Sequence, residues 1–248
     1  AEVQRIHGRE LDAAGGAGLP GLIDRLRSLQ GNVPVVVDAE RQDQLDVLAS
    51  AVRALRCEKR FLFRSAASLV KALADPGPPP LDGAGMAALR CRNGDGALLP
   101  GLVVVGSYVP LADQQLERLL QDSGCNGLEL PVRRIARVLE SGTPDLLLAD
   151  LEREWLQQLR EMLAGDATPV LYSSRGELGF ASLPQRRHFS LQLAQVMARL
   201  AAALAPDLGY LISKGGTTTQ TLLSKGLGLT AVQLEGQLLP GLSLVRPS

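Results

Sequence analysis

Short apolar runs that end in small polar turns and then give way to amphipathic helices set the strongest limit on how this chain folds. The clearest case is Leu211-Ile212-Ser213-Lys214-Gly215-Gly216-Thr217-Thr218-Thr219. An apolar run at 208–212 stops at two adjacent glycines, three threonines follow, and Leu222 and Leu223 lead to a glycine stop at Gly226. That order predicts strand, tight turn and helix. The first N–H groups of such a helix have no partner within it and carry the positive end of the helix dipole, so they favour an anion. Glycines let a phosphate come close to the backbone, and threonine hydroxyls add hydrogen bonds. Glycine also serves such turns for geometry alone, so phosphate recognition and plain chain reversal both stay open on this stretch by itself.

The same grammar recurs along the chain. Residues 33–37 are nearly continuous and β-branched, which suits a strand buried on both faces. Asp38 follows, and Leu45, Leu48, Ala49 and Val52 form one stripe of a helix over about 42–55. Residues 61–63 predict a second short strand, and Arg64-Ser65-Ala66-Ala67-Ser68 opens a helix running to about Leu73. Asp75-Pro76-Gly77-Pro78-Pro79-Pro80 breaks the pattern, and a Pro/Gly/Ala-rich character without periodicity continues to Gly96.

Beyond this linker, Val103-Val104-Val105 is a strand with Gly106-Ser107 as its turn, and 112–121 a helix. A short strand at 128–132 and a short helix at 133–139 come next. Leu151, Trp155, Leu159 and Met162 mark a longer helix, with Trp155 read as core. Residues 169–172 form a strand ending in Ser173-Ser174-Arg175-Gly176. The longest helix, 185–204, carries Leu193, Val196, Met197, Leu200 and Leu204 on one face. Strands alternating with helices predict an α/β fold of two mostly parallel, three-layer domains, at 1–75 and 99–248, joined by a Pro/Gly-rich linker at 76–98. Ligands in such sheets bind beyond the carboxyl ends of the strands. That rule singles out Gly106-Ser107, Ser173 to Gly176 and Gly215 to Thr218 in the second domain, and Asp38 and Arg64-Ser65 in the first.

Composition removes several function classes. Lys+Arg and Asp+Glu balance at 26 each and aromatics are only 3%, so neither nucleic acid nor an anionic membrane surface is an expected partner. No signal peptide and no apolar run of about 18 residues is present, and a cytoplasmic location is expected. Cys57, Cys91 and Cys125 are odd in number and widely spaced, which argues against a disulfide scaffold or a zinc site. His7 and His188 lack metal-ligand spacing and read as surface or packing residues, and no metal ligand is expected. Nothing in the sequence sets an oligomeric state.

Familiar motifs are equally restrictive. Lys214 precedes the glycines, so the P-loop order is absent, and no GxGxxG follows a strand. Ser68-Leu69-Val70-Lys71 matches SxxK and Lys214-Gly215-Gly216 faintly resembles KTG, but without an SDN element a serine β-lactamase-type site is set aside. Arg64 and Arg175 each follow an apolar run. Each has two readings, a bidentate grip on a carboxylate or phosphate and an ordinary solvated strand end. Asp38 either orients a substrate hydroxyl or caps the next helix.

Taken in order, the turns resemble those of the four-carbon acid sugar kinases. The resemblance is carried by Val35-Val36-Val37-Asp38-Ala39-Glu40, Phe61-Leu62-Phe63-Arg64-Ser65-Ala66-Ala67-Ser68, Val103-Val104-Val105-Gly106-Ser107-Tyr108-Val109-Pro110 and Ile212-Ser213-Lys214-Gly215-Gly216-Thr217-Thr218. The tail Lys225-Gly226-Leu227-Gly228 with Gly236-Gln237-Leu238-Leu239-Pro240-Gly241 completes it, over about 33–240. The resemblance implies an acid-sugar-binding domain followed by an ATP-binding domain. It implies transfer of a phosphoryl group from ATP, with Mg²⁺, to the terminal hydroxyl of a tetronate or 3-oxo-tetronate. It places Ser107, Gly215, Gly216, Thr217 and Thr218 at nucleotide-contacting positions, and Asp38, Arg64 and Ser65 on the acid-sugar side.

Family members also carry an Asp-Asp-x-Thr-Gly strand before this region and a Gly-Asn-x-Gly loop after it, and many have histidine at the Tyr108 position. The chain is therefore expected to be an internal piece of a longer kinase or a degenerate relative, holding the later part of the sugar domain and an incomplete nucleotide domain. By itself it is expected to turn over little or no substrate, and no catalytic base is evident in it. The alternative is a non-catalytic module that binds a nucleotide or phosphometabolite on the same scaffold.

Overall fold

The computed structural model describes residues 2–74, 82–176, 178–239 and 242–247. The chain divides into two compact units, Ala1–Asp82 with Leu234–Arg246, and Gly83–Gln233 with Pro247–Ser248. Residues 75–80, the core of the expected linker, lie outside the described residues.

The first unit runs β1 (Gln4–Ile6), α1 (Gly8–Ala14), α2 (Leu19–Ser28), β2 (Val35–Val37), α3 (Gln42–Ala54) and α4 (Ala67–Ala74). β1 and β2 pair in parallel, Gln4 opposite Val35 and Ile6 opposite Val37. Parallel neighbours need a crossover, which α1 and α2 supply. The predicted stripe on α3 is realised: Leu48 and Val52 join Ile6, Leu11, Leu22, Leu26, Leu55 and Leu69 in one buried cluster.

Two expectations fail here. Residues 61–63 form no strand; Phe61 and Phe63 stack on each other with centroids 6.1 Å apart, and Leu62 is fully exposed. Strand propensity needs a partner backbone, and among the described residues this stretch has none. Nor is β2 buried on both faces, since Val36 is 41% exposed. Val35 and Val37 pack against the buried cluster, and Val36, on the opposite pleat face, stays open.

An acidic side chain helps close this unit. Glu10 Oε1 accepts from the His7 N–H at 2.8 Å, and Arg25 pairs with its other oxygen. The His7 N–H foremost, and then the Arg25 charge, outweigh desolvation and hold the Glu10 carboxyl below its usual range. A carboxyl depressed on folding stabilises above its unfolded pKa, and that stabilisation is lost as pH falls through the folded value. Glu10→Gln is therefore expected to narrow the gap in melting temperature between about pH 6 and about pH 3. An unchanged gap would remove Glu10 from the acid response.

The second unit runs α5 (Gly83–Leu89), β3 (Gly101–Val105), α6 (Pro110–Leu120), β4 (Cys125–Leu130), α7 (Val132–Leu139), α8 (Pro144–Leu163), β5 (Thr168–Ser173), α9 (Leu183–Leu204), β6 (Tyr210–Lys214) and α10 (Gly216–Thr221). α10 continues as a π-helical turn, Leu222–Gly226. β4, β5, β3 and β6 form one parallel sheet in that order. All of β3 is buried, so the valine run buried on both faces belongs here. Leu102 and Val104 pack with Ile135, Leu151, Trp155, Leu159, Met197 and Leu200. Val103, Val105 and Val170 turn the other way, against Leu116 of α6. The result is three layers, with α6 on one face and α7, α8 and α9 on the other. The last two strands, β7 (Val232–Leu239) and β8 (Leu242–Pro247), form a separate two-stranded sheet.

The connection leaving β3 crosses to the β4 edge, and the one leaving β5 crosses back over the opposite face to β6. Direction reverses between β3 and β5, and the crevice beyond their carboxyl ends is where such a sheet takes a ligand.

Candidate functional site

Three turns meet at that crevice. Gly215 links β6 to α10 with φ +119°, a backbone that favours glycine. A Cβ there would lie 3.1 Å from the Ser107 nitrogen, so the β6 turn sits directly against the β3 turn. Gly106 allows the same closeness from the other side, because its Cβ would fall 2.0 Å from Thr218 Oγ1. Thr218 is buried in that gap, and Ser213 Oγ lies 2.7 Å from Thr219 Oγ1 beside it. The Thr219 N–H donates to the Gly215 carbonyl at 2.8 Å and closes the first turn of α10. The N–H groups of Gly216, Thr217 and Thr218 have no backbone acceptor among the described residues. Gly216 and Thr217 are exposed, and a Cβ at Gly216 would meet nothing within 4 Å.

The β5 turn brings a charge. Arg175 Nη1 donates to the Ser107 carbonyl at 2.6 Å and lies 3.2 Å from Asp113 Oδ1 of α6. Its side chain is only 26% exposed. Nε and Nη2 are shut off from solvent without a hydrogen-bond partner, and Asp113 Oδ1 has only the ion pair. The solvated strand-end reading of Arg175 is thereby overturned. Ser174 ties the neighbouring ends together, its N–H donating to Leu130 and its Oγ accepting from Val132 N–H, both at 2.9 Å.

An apolar wall stands opposite, at the start of α9. Phe180 and Phe189 lie 5.5 Å apart, with Leu183, Leu193 and Met197 beside them. Arg186 Nη2 donates to the Tyr108 hydroxyl at 3.1 Å, with its guanidinium 5.8 Å from the ring centroid. Turns and wall together enclose a cleft of about 930 Å³. That volume is ample for a small organic ligand with an anionic end on the turns and a flat end on the wall.

Ser107, Gly215, Gly216, Thr217 and Thr218, predicted from far apart in sequence, all line this one cleft. The acid-sugar candidates belong to the first unit. Asp38 follows β2; its N–H donates to Ile6, and Oδ2 lies 3.3 Å from His7 Nδ1 and 3.5 Å from Arg5 Nη1. It does not cap α3. Arg41 holds that position, and Gln44 Oε1 accepts the N–H groups of Glu40 and Arg41 at 2.8 and 3.3 Å. Arg64 and Ser65 are exposed between α3 and α4, and no hydrogen bond or ion pair joins them to Asp38 among the described residues. Sequence reasoning missed Asp113, Phe180, Phe189 and Arg186. The available signal was position: Asp113 and Arg186 each sit in the first turn of a helix that follows one of the small-residue turns.

Comparison with known proteins agrees with this layout. A family model described as a nucleotide-binding C-terminal domain matches residues 102–248, and one described as a sugar-binding N-terminal domain matches residues 1–73. The chain thus joins a sugar-binding domain to a nucleotide-binding domain. It belongs to the four-carbon acid sugar kinase family. Among solved structures, one described as "putative tRNA synthase" from Salmonella typhimurium LT2 shares the fold, with a TM-score of 0.55 at 20% identity. That match covers 99% of this chain and 53% of the other, so the chain spans about half the length of that structure. No curated protein matches the chain. Among the described residues, no helix is long and apolar enough to cross a membrane.

Proposed function

We propose that the chain forms part of an ATP-dependent kinase that phosphorylates the terminal hydroxyl of a four-carbon acid sugar, a tetronate or 3-oxo-tetronate. The observation that carries this reading is the cleft of the second unit, where unpaired N–H groups, small residues and a buried guanidinium face an aromatic wall. Phosphoryl transfer asks a protein for positioning and charge neutralisation more than for covalent chemistry. Gly216 and Thr217 would offer N–H groups to the phosphates, Ser107 a contact from the adjacent turn, and the wall a seat for the base. Asp113 is the one carboxylate lining the cleft among the described residues, and its Oδ1 lacks a hydrogen bond. That donor set fits Mg²⁺ held mainly by phosphate oxygens and water, where the ion would offset the charge of the transferred group.

Asp38, Arg64 and Ser65 are our assignment for the acid sugar. Asp38 has the position, at the carboxyl end of a parallel strand, and Arg64 has the chemistry for a carboxylate. The test is tetronate-dependent ADP formation by the full protein that carries these two domains, repeated with Arg64→Lys. The expected result is turnover with a KM for the acid sugar raised ~10-fold or more in the variant. An unchanged KM would remove Arg64 from the site. MgATP binding without ADP release on any tetronate or 3-oxo-tetronate would favour the non-catalytic module instead.

A further inference from the structure

We propose that Arg186, near the mouth of the cleft, is the cation that meets the phosphate tail of the nucleotide. The proposal rests on the nucleotide reading above and names the side chain that supplies the charge. A polyphosphate brings several negative charges, and the free N–H groups of one turn offset them only in part. Among the described residues, three charged side chains line the cleft: Asp113, Arg175 and Arg186. Asp113 and Arg175 lie 3.2 Å apart and neutralise each other. Arg175 Nη1 is held by the Ser107 carbonyl, and its Nε and Nη2 are shut off from solvent. That guanidinium braces the β3 turn and offers no donor to a ligand. Arg186 is the charge left over. It is exposed, and its hydrogen bond goes to a neutral group, from Nη2 to the Tyr108 hydroxyl.

Its place on α9 fits that role. α9 lays one face along the cleft, with Leu183, Arg186, Phe189, Leu193 and Met197 three or four residues apart. Burial falls along this face, from 1% exposed at Met197 to 68% at Leu183. Arg186 therefore stands where the cleft opens to solvent, within reach of an entering ligand. Tyr108 comes from the other side, directly after Ser107, whose nitrogen lies against Gly215. The Arg186–Tyr108 contact thus joins α9 to the β3 turn, one residue beyond the point where the β3 and β6 turns touch. A polyphosphate seated on the Gly215-Gly216 turn would run past Ser107 towards it. The guanidinium carbon lies 5.8 Å from the Tyr108 ring centroid, and ring and hydroxyl together restrain a long side chain. Less freedom is then lost when an anion arrives. A bond to a neutral hydroxyl is also readily exchanged for one to a charged oxygen, because charge-assisted hydrogen bonds are about twice as strong.

The experiment is calorimetric titration of MgATP, adenosine and inorganic pyrophosphate into the chain, and into Arg186→Gln and Arg186→Lys. Arg186 is exposed in a helix, where glutamine and lysine serve about as well, so both variants are expected to melt as the parent does. Lysine keeps the charge without the planar fork. The expected result is MgATP affinity lowered ~10-fold or more in Arg186→Gln and ~3-fold in Arg186→Lys, with adenosine affinity unchanged. Variants that bind MgATP as the parent does would overturn the proposal and leave the nucleotide reading intact. Equal losses for adenosine and MgATP would also overturn it, because Arg186 would then serve the base or the shape of the cleft. If the parent binds pyrophosphate but no nucleotide, and Arg186→Gln loses it, the phosphate contact stands and the nucleotide reading falls. A parent that binds no phosphate compound sinks both.

Discussion

Replacing Gly216 by valine is expected to weaken MgADP and MgATP binding ~100-fold or more while leaving the melting temperature nearly unchanged. Gly216 is the first residue of α10, and a Cβ there would meet nothing within 4 Å. Valine in a helix costs only about 0.5 kcal/mol relative to a good helix former, and less against glycine. Its methyl groups would instead occupy the space a phosphate must enter to reach the N–H groups of Gly216 and Thr217. Each hydrogen bond to a charged group is worth about 1.5–3 kcal/mol, so losing two accounts for the size of the effect. Calorimetry on the folded variant reads it directly. Unaltered affinity would mean that phosphate binds away from this turn. Gly215 could not serve the same purpose, because at φ +119° a side chain would strain the backbone and confuse folding with binding.

The second large effect concerns stability. Trp155 is 3% exposed and packs between α8 and the sheet, beside Leu151, Leu159 and Met197. Trp155→Ala removes the largest side chain of that core and leaves a cavity the neighbours fill only in part. The expected cost is about 3–5 kcal/mol, which lowers the melting temperature of the second unit by roughly 10 °C. Circular dichroism is the right probe, since Trp155 is the chain's one tryptophan and its fluorescence goes with it. A shift of no more than a degree or two would contradict the packing described for α8.

What could be read in advance followed from local chemistry. The stripes on α3, α8 and α9 are periodic, so they reported both helix and buried face before any fold was in view. The turns after β3, β5 and β6 were legible because glycine and small polar residues stand where an apolar run stops. β1 was not. Its Gln4-Arg5-Ile6 offers one buried residue, and it becomes a strand only by pairing with β2 from 29 residues away or more. Residues 61–63 have the opposite problem: they carry strand-forming side chains but, among the described residues, no partner backbone. Asp38 and Arg175 show the limit for sites. Each had two readings in sequence; the cap reading of Asp38 falls to Arg41 and Gln44, which hold the start of α3, and the solvated reading of Arg175 falls to Ser107 and Asp113. No spacing rule reports contacts of that kind.

The most direct test of the central claim, that the crevice of the four-stranded sheet takes nucleotide phosphates, is amide hydrogen exchange with and without saturating MgADP. The expected result is slowed exchange confined to the three turns, above all at Ser107, Gly216 and Thr217, with the rest of the second unit unchanged. Protection that spares those turns and appears elsewhere in the chain would contradict it.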